Sequence, residues 1–286
     1  MVGDRREVER RFEAYVRLAD QMRRPATAAS RVWQESALAE YDGRLPDAER
    51  LTLEGLELAR QADLSDSMIS AAIGAKFYAI RMGQGRIDEL VTALEGLVES
   101  QPGTTAWRVA LAGALVESNR VEEARPHYMW LAADDCANVP NEPVFPVTVC
   151  GLARLSYRMQ PPEPVVRSTY DRLAPFAGIF NWAGAIITDP NDLGLAMAAA
   201  ALGRPDDADR HFADTIELCE RAGTRRHLAR GHFDWSRVLS DRGDAAAARG
   251  HAEIAVALGE ELGMTGSFGV AAVSYTHLTL PTIYSV

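Results

Sequence analysis

The residues that metal or proton-transfer chemistry would use first are the histidines His127, His211, His227, His232, His251 and His277. None stands in an HExxH pattern, and none lies three to five residues from a cysteine as a zinc site requires. His227 and His232 are five apart, which on a helix puts them on different faces, so packing or surface roles are expected for both. His232, Asp234 and Ser236 have the residue types of a nucleophilic triad, but such triads are set by geometry in space rather than by nearness in sequence. Cys136, Cys150 and Cys219 form no CxxC pair and are odd in number. Reduced thiols, and hence a cytoplasmic protein, are expected rather than a disulfide framework.

Phosphate chemistry has little to work with. There is no GxxxxGK[ST] motif, and Lys76 is the only lysine in the chain, so a P-loop is excluded. Gly83-Gln84-Gly85 is a fragment of a glycine-rich loop and reads as a turn between helices. The acidic pairs Glu122-Glu123 and Asp206-Asp207 fall where helices begin, and there carboxylates offset the helix dipole. Asp134-Asp135 reads as a helix exit. Asp189-Pro190-Asn191-Asp192 reads as a turn and N-cap before the apolar helix Leu193–Leu202; it lacks the glycine and distant glutamate of a calcium loop. Trp33, Trp107, Trp130, Trp182 and Trp235 are expected in the core. No metal and no cofactor is expected from any of these patterns.

The elements that would position these residues are helical nearly throughout. The chain has 286 residues, 47% of them apolar and 24% charged, with a formal net charge of −10. That composition excludes a disordered chain and argues against direct nucleic-acid binding, which depends on neutralising phosphates. Forty-six alanines favour helix. Runs of 12–18 residues repeat with a helical period, separated by Gly43, Gly83 with Gly85, Pro102, Asn119, Pro161 with Pro162, Gly203, Gly223 and Gly243. No strand alternation is apparent before residue 273. The longest apolar run, Leu195 to Leu202, is far below the roughly 20 residues of a membrane span. The first residues open a charged amphipathic helix rather than a signal peptide.

The breakers also mark an internal repeat. Residues five, nine and twelve positions after Gly43 are Ala48, Thr52 and Gly55; after Gly85 they are Leu90, Leu94 and Leu97; after Asn119, Ala124, Tyr128 and Leu131. After Gly203 they are Ala208, Phe212 and Thr215, and after Gly243 they are Ala248, Ala252 and Ala255. A weaker copy starts at Gln160, with Val165, Thr169 and Arg172. Successive starting points are 34 to 43 residues apart. A small residue at the first offset lets a second helix approach the first, and the later offsets fall on the same face.

This pattern resembles the tetratricopeptide repeat, most plainly in Leu202-Gly203-Arg204-Pro205-Asp206-Asp207-Ala208 with Phe212, and in Leu239, Gly243-Asp244 and Ala248. The resemblance covers residues 26–262, with the longer period found in repeat regions of large bacterial signalling proteins. Those carry a nucleotide-binding ATPase module with a class III adenylate cyclase or a LuxR-type DNA-binding domain. Tyr170-Asp171-Arg172-Leu173-Ala174-Pro175-Phe176-Ala177-Gly178 and Leu262-Gly263-Met264 look like that group too. The resemblance implies a non-catalytic sensing or scaffolding region that binds a protein, peptide or effector and is linked to a signalling or transcription-regulating domain. It transfers no catalytic residue.

The expected architecture is therefore all-α: a leading helix over 1–25, then a solenoid of about six antiparallel helix pairs over 26–264, interrupted by an irregular insertion at 176–192. In tetratricopeptide arrays the first helix of each pair lines the concave face, so the binding candidates are Trp33, Glu40, Arg154, Tyr157, Arg230, Phe233 and Arg237. Aromatic and arginine side chains are enriched at interaction surfaces; Trp33 and Phe233 fit a plain core role equally well. The rival reading is a hydrolase with its site at the insertion, which would need several ionisable groups converging in one pocket. A further alternative is that the chain is a fragment of a cyclase or regulator whose chemistry lies in other domains. Residues 265–286 are expected to be a non-native or disordered tail. Val273 to Thr282 resembles the conceptual translation of a sequencing-library adapter, with Ile283 to Val286 following it, so the native protein is expected to continue past about Ala272.

Overall fold

In the computed structural model of the protein, which describes residues 4–22, 24–141, 144–182 and 186–264, the six residues that mark the sequence repeat all turn the chain left-handed at helix ends. They are Gly43 (φ 80°), Gly85 (68°), Asn119 (60°), Gln160 (44°), Gly203 (67°) and Gly243 (88°). At five of them the next amide reaches back to the carbonyl five residues before it: Arg44 to Ala39, Arg86 to Arg81, Arg120 to Leu115, Arg204 to Ala199 and Asp244 to Leu239, at 2.8–3.0 Å. This closure satisfies carbonyls that a helix end leaves free. It reverses the chain within two or three residues, so the next helix returns alongside the last.

Thirteen α-helices follow among the described residues: α1 (Arg5–Met22), α2 (Pro25–Tyr41), α3 (Leu45–Gln61), α4 (Asp66–Gln84), α5 (Val91–Ser100), α6 (Thr105–Glu117), α7 (Val121–Cys136), α8 (Phe145–Met159), α9 (Glu163–Leu173), α10 (Asn191–Ala201), α11 (Pro205–Ala222), α12 (Arg225–Asp241) and α13 (Ala245–Glu261). The protein is all-α. Among the described residues no helix is long and apolar enough to cross a membrane. Residues 265–286, with the expected non-native tail, lie outside the described residues.

Small residues set the spacing between partners. Ala48, Ala124, Ala208 and Ala248 are fully buried. Ser36 Oγ on α2 donates to the Ala48 carbonyl at 2.9 Å and lies 2.8 Å from Thr52 Oγ1. Gly55 faces Trp33 so closely that a Cβ there would sit 2.4 Å from the indole. Between α8 and α10 the approach is nearly backbone on backbone: a Cβ on Gly194 would stand 3.0 Å from the Cys150 carbonyl. Such contacts leave no room for added methylenes.

Three expectations need correction. Trp130, expected in the core, is exposed. The 176–192 segment holds a two-stranded antiparallel ribbon, β1 (Phe180–Trp182) and β2 (Ile187–Pro190), where no strand was expected. Three and four residues are too few for alternation to register. The Asp189-to-Asp192 run does not cap α10 with its carboxylates. Asp189 belongs to β2, and Asp192 Oδ2 accepts the Gly178 amide at 2.6 Å. Asn191 Nδ2 donates to Phe176 O at 2.9 Å, and Asn191 Oδ1 accepts from Asn181 at 2.7 Å. The first residues of α10 thus hold the ribbon rather than their own helix end.

Helices far apart in the chain meet. α12 packs on α2 as well as on α10, α11 and α13. Leu45, at the start of α3, shares an apolar cluster with Ala229 and Phe233 of α12, and Tyr41 shares another with Phe180, Leu218 and Cys219.

Candidate functional site

The helices that line the interior are α4, α6, α8 and α12, with β2 laid across them; between them is a cavity of about 170 Å³. Its wall is mostly apolar, including Ala79, Val109, Ala110 and Ile187, with Tyr78, Arg154, Asp189, Arg226 and Arg230 as polar groups. A small apolar space with a few convergent polar groups is the form of a ligand pocket.

Four of those polar groups, Arg154, Asp189, Arg226 and Arg230, belong to two sets of ion pairs. Glu117 at the end of α6 lies 2.6 Å from Arg230 and 3.6 Å from Arg154. Arg154 also faces Asp189 at 3.5 Å. Arg230 reaches Asp234 one turn along α12 at 2.8 Å, and Arg237 approaches the same carboxylate at 3.6 Å. Phe233 lies beneath both Arg230 and Arg237, each guanidinium 5.6 Å from its ring centre. At the far side, Arg226 meets Glu40 of α2 at 2.5 Å, and Lys76 Nζ donates to the Trp33 carbonyl at 2.6 Å.

Burial and charge compete at each group. Burial pushes the Glu117 carboxyl up, but Arg230 and Arg154 outweigh it and hold it at about 2. Burial acts against the charge of Arg230, and Asp234 with Glu117 more than restores it. At Glu40 burial prevails over Arg226 and Lys76, and the carboxyl is raised. Burial lowers the Lys76 ammonium to about 8 against the pull of Glu40. It also lowers the His227 imidazole to about 3, with Arg226 adding to the effect.

Of the seven sequence candidates, Arg154, Arg230, Phe233 and Arg237 come together in or against the ion pairs around Glu117 and Asp234, and Glu40 stands in the pair with Arg226. Trp33 is in neither. It is packed with Ala29 and Ala59 in a separate apolar cluster, although its carbonyl holds Lys76. Tyr157 stands at the outer end of α8, its hydroxyl donating to Asp241 at 2.7 Å. Tyr78, Asp189 and Arg226 line the cavity, and Glu117 and Asp234 hold Arg230, with no local spacing in the sequence to mark any of them for that place. The sequence marks Lys76 as its sole lysine without giving it a place.

Two other clusters bear on chemistry. Asp192, His211 and Asp214 have ligand atoms within 4.8 Å of one another, the grouping among the described residues that could hold a metal. His211 Nε2 faces Tyr170 Oη at 3.0 Å and Arg210 Nη2 at 3.2 Å, and its Nδ1 lies 3.0 Å from Asp192. Because Arg210 can only donate, Nε2 carries the lone pair and Nδ1 carries the proton given to Asp192. The lone pair a metal would need is already taken. The second cluster is Cys150 at the cavity wall. Burial, with Asp189 nearby, pushes its thiol up to about 12, far from the thiolate that reacts.

The arrangement supplies fixed hydrogen-bond donors around a small apolar space. Arginine is no general base, since it does not give up its proton, and the 176–192 carboxylates Asp189 and Asp192 are engaged with Arg154 and His211. No family model, curated protein or solved structure matches the chain.

Proposed function

We propose that the chain is a non-catalytic, effector-binding helical-repeat region: a tetratricopeptide-like solenoid of six antiparallel helix pairs (α2–α3 through α12–α13) preceded by α1. The observation that carries the reading is the convergence of four alternate helices and β2 on one cavity presenting Arg154, Arg226 and Arg230. The repeating left-handed turns and the buried small residues at the fifth position support the pairing. A small effector suits this interior better than an extended peptide. Glu117 already holds Arg154 and Arg230, and Arg226 already holds Glu40, across the face along which a peptide would run. In this reading the region senses an effector in the cytoplasm and passes that state to a linked signalling or transcription-regulating domain, with no membrane or direct nucleic-acid contact.

The test is a thermal-melt screen of the full chain against small organic acids, repeated on Ala110→Phe. That substitution fills the cavity from a buried position of its wall and leaves every ion pair in place. A compound that raises the melting temperature of the parent and not of the variant supports the reading. Hits that stabilise both equally would place binding elsewhere and remove the cavity from the account.

A further inference from the structure

Arg158 lies one turn beyond Arg154 on α8, and Arg237 lies on α12 beyond Asp234. Both line a cleft of about 670 Å³ at the outer end of the two helices. The nearby carboxylates are committed. Glu117 is shared by Arg154 and Arg230, Asp234 by Arg230 and Arg237, and Asp241 accepts from Tyr157 on the exposed rim. Among the described residues Arg158 has no ion-pair partner, and its half-buried guanidinium is disfavoured first by burial and then by the charge of Arg237. Arginine cannot relieve that repulsion by losing a proton. Glu117 and Asp234 offset it in part; an arriving anion would offset the rest, and paired guanidinium forks match the oxygens of a phosphoryl group. The rest of the cleft wall is mixed: Pro161, Val166, Ala200 and Ala201 form an apolar side, and Tyr157, Gln160 and Asp241 are polar.

We propose that this cleft binds a phosphate monoester, its phosphoryl oxygens held between Arg158 and Arg237 and its organic part laid against Pro161, Val166 and the alanines of α10. The site is separate from the inner cavity and stands whether or not that cavity takes an effector.

Isothermal titration of the full chain at constant ionic strength, with phenyl phosphate, inorganic phosphate and sodium chloride as titrants, tests it. Saturable binding of phenyl phosphate, several-fold tighter than inorganic phosphate and absent with chloride, is expected. Arg158→Gln should weaken it by about tenfold or more, while Arg17→Gln, on exposed α1, should not change it. Arg158 has no partner to lose, so that variant should keep the parent circular-dichroism spectrum; Arg237→Gln gives a second reading of the same site. Absence of saturable heat, or parent-like affinity in both cleft variants, would overturn the site. Equal affinity for inorganic phosphate and the ester would overturn the assignment of an organic part.

Discussion

Arg226 of α12 and Glu40 of α2 meet at 2.5 Å, almost wholly buried, from opposite ends of the described chain. Removing one member of a buried pair strands the other, at a typical cost of about 3–5 kcal/mol, whereas replacing both with apolar groups is often near neutral. Arg226→Met should therefore destabilise strongly, and the Glu40→Leu/Arg226→Met double variant should recover most of the loss. Urea unfolding of the two singles and the double gives the coupling. Additive losses would mean the contact is not energetically real.

Gly55 sits against the Trp33 indole with no space for a methyl. Gly55→Ala is expected to destabilise by about 1–3 kcal/mol through overpacking, as is Ala208→Leu at a fully buried position. Gly250, exposed in α13 with nothing near its missing Cβ, is the contrast: Gly250→Ala should stabilise by about 0.5–1 kcal/mol. Thermal melts of all three decide it, and a neutral Ala208→Leu would contradict the α10–α11 packing.

Acid should weaken the fold in two stages. Unfolded imidazoles protonate near pH 6.5, but burial lowers His227 to about 3 and His232 to about 4. Between those values the unfolded chain binds more protons, so stability is full above pH 6.5 and falls below it. Glu117, held at about 2, adds a further loss as pH drops under 4.5; Glu40, raised by burial, works the other way. His232→Leu isolates one histidine. Its stability should vary less steeply than the parent's between pH 6.5 and 4, by up to about 1.4 kcal/mol per pH unit. Identical slopes would refute the assignment.

Asp192 ties three segments: it accepts from Gly178, faces His211, and through that ring reaches Tyr170. Asp192→Ala should loosen the 176–190 ribbon without melting the helices around it. Hydrogen exchange should show faster exchange of the Gly178 and Asn191 amides and little change in α12. Uniform loss of protection across all helices would mean the aspartate supports the whole fold instead.

The helix ends were legible in the sequence because they depend on one residue's backbone. Gly43, Asn119, Gln160, Gly203 and Gly243 were marked by type and spacing, and each turns left-handed. The buried alanines five residues later were legible for the same local reason. The ribbon was not, since three or four residues carry too little pattern and its anchors Asn181 and Asn191 are read elsewhere as turn formers. The ion pairs were visible only in part. Glu40, Arg154, Arg230 and Arg237 follow from counting back along each first helix. Their partners Glu117, Asp189 and Arg226 depend on how helices far apart in the chain pack together, and no local spacing encodes that packing. Lys76 was conspicuous by composition, but its burial against the Trp33 carbonyl is a tertiary outcome.

An open stack of helix pairs has two loose ends, and thermal fraying starts at whichever is weaker. With α12 packed on α2 and Leu45 in one apolar cluster with Phe233, neither α2 with α3 nor α12 with α13 can peel away without breaking its hold on the other. The described helices should then come apart as a hoop does once cut. Heat should produce one sharp transition in place of a graded unzipping, and the first break should fall where α2 touches α12.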